Sequence, residues 1–197
     1  LRGKYSHDDF FRPKGPNTGH QWLSNFDIEN VMRQYEAIYP GFKFLDVVPC
    51  DFDDIPQYQY SLKDYNNYTD KGIPKYKFGV IFNLDNSRQS GSHWTALYFD
   101  MKKKQIYYQD SVGNPPKSEF VKLMDSIEKQ MKVDKKPIDR RVNKLRHQYQ
   151  NSECGVYSIS FILRLLNGES FDEIESKPIP DEDVNKCRII YFNNNKD

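Results

Sequence analysis

Apolar residues along this chain follow two rhythms, one helical and one of short dense runs. Ile28, Val31, Met32 and Tyr35 recur at three- and four-residue intervals. They predict a helix capped by Ser24 or Asn25 and stopped by Pro40 and Gly41. A second helix is predicted over 117–132, where Phe120, Leu123, Met124, Ile127 and Met131 share one face. A third runs from about Cys154 to Leu166 through the apolar stretch VYSISFILRLL and ends at Asn167 and Gly168. DEDVNKCRIIYF predicts a last short helix capped at Asp181. Between the helices, FKFLDVVPCDF, FGVIFNL, HWTALYFDM and QIYYQDS read as strands, the last two around a KKK turn. Residues 1–20 predict an irregular arm ahead of a single domain over 21–197. Tyrosine-rich 53–76 predicts a long surface segment. Helices flanking a small central sheet give the α+β class.

Composition changes this picture little. A chain of 197 residues suits one domain with a sizeable core. Aromatics reach 15%, so rings make up for a modest 37% of hydrophobic residues. A net charge of +1 sets no global field for nucleic acid, and the absence of any run of 18 apolar residues predicts no membrane span. Cys50, Cys154 and Cys187 form an odd set without metal-ligand spacing, which predicts no disulfide scaffold, no metal, and a reducing compartment. The chain begins without methionine, as a processed or excised piece would. Nothing in the composition defines an oligomer interface.

The candidate chemistry gathers around QYQNSECG. Cys154 heads a predicted helix, behind Ser152 as a candidate cap, and helix N-termini favour the thiolate. From local sequence alone, nucleophile and buried core cysteine are equally supported. Cys50 and Cys187 lack this setting and read as structural. Of four histidines, His7 and His20 lie in the arm and His147 adjoins the glutamine loop, while His93 opens a strong strand beside a flexible loop. Asp110 ends the next strand and could hold the imidazole tautomer. Hairpin register alone does not decide whether the two share a face, and a bulge or twist is one way to bring them together. Asp100 competes but adjoins the turn and is expected to face solvent. Gln148, or Asn151 as runner-up, could donate to an oxyanion together with the Cys154 N–H. Gly155 would let a substrate backbone approach, and Trp94 could wall the site.

Taken together these residues resemble the Ulp1/adenain-like cysteine proteases, whose order is His-Trp, Asp, Gln, Cys-Gly. The steps of 17 residues from His93 to Asp110 and six from Gln148 to Cys154 fit that pattern. Papain-like enzymes run Cys, His, Asn and do not fit. NTGHQWLSNFDIEN, SVGNPP, LRHQYQNSECGVYS and PDEDVNKCR look closer to the polyprotein proteases of large DNA viruses, while 53–76 carries none of the likeness. The resemblance implies a few-stranded sheet packed on the helix that presents Cys154. It also implies peptide-bond hydrolysis by His93, Asp110 and Cys154 with Gln148 at the oxyanion, and no cofactor. Sites of the Gly-Gly-X type would pass beside Trp94.

Three functions follow as expectations. The first is a maturation protease for viral structural polyproteins, acting in host cytoplasm and virion. The second is a deconjugase for SUMO- or ubiquitin-like modifiers. The third is a non-catalytic binding module, which would have no need of an intact residue set. Between 122 and 146 nine basic residues face four acids. That excess reads first as a solvated surface and second as a nucleic-acid contact. The acidic stretch 169–183 reads as another solvated surface.

Overall fold

The computed structural model describes residues 12–193 other than 133. Residues 1–11 of the expected arm, with His7, and 194–197 lie outside the described residues. The chain runs α1 (Asn25–Ile38), β1 (Phe42–Val48), α2 (Pro56–Ser61), β2 (Thr69–Asp70), β3 (Ile73–Pro74), β4 (Lys77–Asn83), β5 (Trp94–Asp100) and β6 (Gln105–Gln109). It continues through α3 (Ser118–Met131), β7 (Asp139–Val142), α4 (Cys154–Leu166), α5 (Phe171–Ser176), α6 (Asp181–Asn185) and α7 (Arg188–Tyr191). Five strands form a mixed sheet in the order β1-β4-β5-β6-β7, and β2 and β3 make a separate small hairpin. β1 lies parallel to β4 and β7 parallel to β6, while β4, β5 and β6 alternate in direction.

Period-two alternation feeds two cores, one on each face of the sheet. Phe44, Ile81, Ala96, Tyr98 and Tyr107 face α1 and α4. Leu45, Phe78, Val80, Leu97, Phe99 and Tyr108 face α3. Every residue of β5 is buried because both faces are covered. α4 is apolar all round, as a helix packed between sheet and neighbours must be.

The expected helices form with their expected faces. Ser24 caps α1 through a reciprocal box with Asp27, and α3 buries the five residues named from the sequence. Several expectations need correction. Segment 53–76 is not simply a surface segment: it contains α2 and the β2–β3 hairpin, and it buries Leu62 and Tyr65. Tyr65 packs edge-on against Phe99 at 4.8 Å and tilted on Phe78 at 5.3 Å, so rings stand in for aliphatic core. The stretch 169–183 includes α5, capped by Ser170 and Glu173, which buries Phe171 and Ile174 under the sheet. DEDVNKCRIIYF is two short helices, α6 and α7, and Asp181 caps neither; it sits inside α6. Asp100 does not face solvent. It is buried, and its Oδ1 accepts the N–H groups of Lys102 and Lys103 to close the β5–β6 turn.

Truncating Tyr65 to alanine is expected to cost about 3 kcal/mol or more, as for other buried rings. Urea unfolding measures it, and a loss below about 0.5 kcal/mol, typical of a surface position, would contradict its core role.

Candidate active site

His93 stands one residue before β5 and Asp110 one residue after β6. The register pairs Ala96 with Gln109, and one further step sets Thr95 opposite Asp110. His93 and Asp110 are therefore diagonal neighbours on the same side of the ribbon, and the pairing is regular, so no bulge is needed. His93 Nε2 and Asp110 Oδ1 are 2.6 Å apart. That leaves the other ring nitrogen open, and Cys154 lies near enough to act on the charge of the imidazole. Burial disfavours charge on the ring, but Asp110 and Cys154 outweigh it and raise the His93 pKa to about 9.

Asp110 is 1% exposed. Its Oδ1 also accepts the Val112 N–H, at 2.9 Å. Its backbone is clamped by Asn143, whose Oδ1 takes the Asp110 N–H at 2.9 Å and whose Nδ2 donates to the Asp110 carbonyl at 2.7 Å. The next residue, Ser111, carries the link to the glutamine loop. Its carbonyl accepts the N–H groups of His147 and Gln148, each at 2.8 Å, and its hydroxyl donates to Gln148 Oε1 at 2.6 Å. This fixes the amide flip, so Nε2 points the other way and donates once to the Gln150 carbonyl at 2.7 Å. A second N–H remains for the site. Gly113, at φ +86°, keeps the 144–146 backbone close: a Cβ there would meet the Lys144 carbonyl at 3.0 Å.

Asp181 holds the same loop from α6. Its Oδ2 accepts the N–H groups of Tyr149 and Gln150, and its Oδ1 lies 3.1 Å from the Tyr157 hydroxyl on α4. His147 is buried against Tyr157 with Nε2 unpartnered, and burial lowers its pKa against an opposing hydrogen bond to the Glu175 backbone.

Other expected residues fall differently. Ser152 does not cap α4; its hydroxyl bonds Glu153 Oε1 at 2.5 Å, and Glu153 occupies the cap position. Gly155 is buried, and a Cβ there would meet the Leu23 side chain at 3.1 Å, so its lack of a side chain makes room for Leu23. Asn151 is exposed and makes no hydrogen bond with the described residues. Trp94 is buried with Cys154 in the main core, and its Nε1 donates to the Leu23 carbonyl at 3.0 Å. A cleft of about 590 Å³ opens from His93 and Trp94, walled by Trp22, Leu23, Asn83 and Asp85 among others. Trp22, 52% exposed, was not singled out by sequence; nor were Asn143 and Ser111, and Asp181 was read only as a helix cap, because their roles depend on distant contacts. Among the described residues no cluster of three His, Cys, Asp or Glu side chains is placed to hold a metal, and no helix is long and apolar enough to cross a membrane.

The sequence pattern of the Ulp1 protease family, C-terminal catalytic domain, matches residues 78–197. The chain belongs to the Ulp1 protease family. That places it among the cysteine-type peptidases. It is 40% identical over 188 residues to a protein named as a thiol protease in Acanthamoeba polyphaga mimivirus, covering 93% of this chain and 61% of that protein. The chain thus spans about three-fifths of that relative's length. A protein named SUMO-1 cysteine protease in African swine fever virus is 29% identical over 196 residues, with 92% of this chain and 71% of that one covered. The crystal structure of the African swine fever virus protease superposes with a TM-score of 0.81 at 26% identity, over 93% of this chain and 72% of that one. The Ulp1-like α+β fold expected from the resemblance is the fold observed.

The His93–Asp110 pair gives two readouts. NMR titration of the His93 ring is expected to centre near pH 9, and Asp110→Asn is expected to lower that midpoint by about 1–3 pH units. Because the folded-state pKa is raised, the pair's contribution to stability is complete below about pH 6.5 and is lost as pH rises through about 9. An unchanged midpoint in the variant would remove Asp110 as the source.

Proposed function

We propose that this chain is the catalytic domain of a thiol endopeptidase that cuts viral structural polyproteins at Gly-Gly-X sites during virion maturation. The observation that carries the reading is the 2.6 Å His93–Asp110 contact, with Cys154 near enough to raise the pKa of the same ring. The raised pKa keeps the His93 ring charged at neutral pH, and a helix N-terminus favours negative charge placed there. The Cys154 thiolate attacks the scissile carbonyl. The oxyanion is held by the free N–H of Gln148 Nε2 and the Cys154 N–H, one of the helix donors without an intrahelical partner. His93 protonates the leaving amine, and the acyl-enzyme forms. A water then gives its proton to His93, attacks the thioester, and releases the acid and the thiol. Asp110 keeps the ring aligned throughout. Trp22 and Trp94 line the cleft that would receive the substrate chain.

A modifier deconjugase is the second reading, favoured by the printed name of the African swine fever virus relative, a SUMO-1 cysteine protease. Both substrates end at Gly-Gly, so the site alone serves either. The binding-module reading has nothing in its favour beyond the fold. Three of the nine basic residues between 122 and 146 are held in internal ion pairs. Arg140 pairs with Asp125 and Glu128, Arg141 with Asp139 and Asp172, and Lys132 with Glu128. This supports a solvated surface over a nucleic-acid track. A reducing setting, in host cytoplasm and virion, fits a free catalytic thiol.

Cleavage of Gly-Gly-X peptides, a SUMO fusion and a ubiquitin fusion separates the readings. Peptide cleavage abolished by Cys154→Ala, with fusions intact, is the expected result. Cut fusions would favour the deconjugase, and no cleavage at all would count against both. Gln148→Ala is expected to lower kcat about 10²–10³-fold with little change in KM; a larger effect on KM than on kcat would reassign Gln148 to substrate binding.

A further inference from the structure

Arg188, on α7, is the largest side chain fully withdrawn from solvent. Burying a guanidinium is costly unless its donors and its charge are met. The donors are met by neutral oxygens. Nη2 donates to the carbonyls of Gln21 at 2.6 Å and Ser152 at 3.2 Å, Nη1 to the Pro16 carbonyl at 3.2 Å, and Nε to the Asn185 side chain. One fork thus ties the strap over 16–21 to the residue two places before Cys154.

The charge is partly offset through space, and burial still leaves the guanidinium's pKa below its ordinary value. Burial disfavours the guanidinium, and against it act Glu153 first, then Asp27 and Cys154. Glu153 is 0% exposed and adjoins Cys154 in sequence. Its carboxylate bonds the Ser152 hydroxyl and the His20 ring. Burial opposes its charge, but these partners hold its carboxyl below the usual range. A buried negative charge one residue from the sulfur works against a second one forming there. The mechanism above uses neither Arg188 nor Glu153.

We propose that Arg188 is a positioning residue, whose fork fixes the backbone at the start of α4 and whose charge balances Glu153 so that negative charge can gather on the Cys154 sulfur. The inference rests on Cys154 as the nucleophile. The charged groups coupled to Cys154 are His93, held by Asp110, and Arg188, while Glu153, bonded to His20, adjoins it in sequence and Asp27 acts on Arg188.

The test is the rate of Cys154 alkylation by iodoacetamide across pH, read by mass spectrometry, alongside peptide kinetics and thermal unfolding. Arg188→Met is expected to move the profile about one pH unit upward, roughly a tenfold lower rate at pH 6. Arg188→Lys keeps the charge and should keep most of the profile while kcat falls. Glu153→Gln should move the profile downward, and the double variant should return toward wild type. If Arg188 serves stability alone, Tm falls and every profile coincides, which overturns the proposal. Should Arg188→Met fail to fold, an unshifted Glu153→Gln profile overturns it equally. Wild type that alkylates normally but cuts no peptide or fusion sinks the proposed function and leaves this inference standing.

Discussion

Asp110 is a carboxylate with almost no access to water, and such a group costs several kcal/mol unless it is paired and hydrogen-bonded. Its neighbours can be understood as answers to that cost. His93 and the Val112 N–H occupy one oxygen, while the other has no hydrogen-bond partner. A half-satisfied carboxylate of this kind holds its one strong partner tightly, because losing it would strand the charge. The ring of His93 is therefore fixed in direction before any substrate arrives. Asn143 locks the backbone that carries the carboxylate, and Ser111 passes the same rigidity to Gln148. His93, Asp110 and Gln148 are thus joined in one hydrogen-bonded unit at the end of the sheet.

The nucleophile side is supported from the C-terminal segments. Asp181 on α6 grips the glutamine loop and meets Tyr157 of α4. Arg188 on α7 grips the strap and the start of α4. Leu23 fills the space that Gly155 leaves, and Trp94 ties its indole to the Leu23 carbonyl. The strap, the short terminal helices and the active-site loop are each too small to be stable alone. They are held by buried polar contacts that converge within a few residues of Cys154. Stability and chemistry share the same bonds there, which is economical but leaves little tolerance for substitution.

Much of this was legible along the chain, for identifiable reasons. The helix faces at 28–35 and 120–131 and the dense strand runs are periodic, and periodicity is a local signal that burial enforces. His93, Asp110, Gln148 and Cys154 stood out because strand ends and helix starts are themselves readable, so chemistry-bearing residues at those places could be ranked. Segment 53–76 and α5 were misjudged because tyrosines and acidic residues look solvated until a partner ring or sheet covers them. Tyr65 and Phe171 are buried by residues far away in sequence. β7 gave no signal, since DRRV joins the sheet only by pairing with β6 at its edge.

The sequence by itself determined the long helices, the central strands and which side chains could do chemistry, because propensity, capping and periodic burial act over a few residues. Only the tertiary structure decided how those side chains meet. The register of β5 on β6 put His93 diagonal to Asp110, and no local pattern contains that pairing. Asn143, Ser111, Asp181 and Arg188 acquire their parts through contacts across 33, 37, 32 and 36 residues of chain. A loop asparagine or a helix arginine carries no mark of such a partner. The need to satisfy every buried donor and charge, which exists only once the chain is folded, is what assigns them.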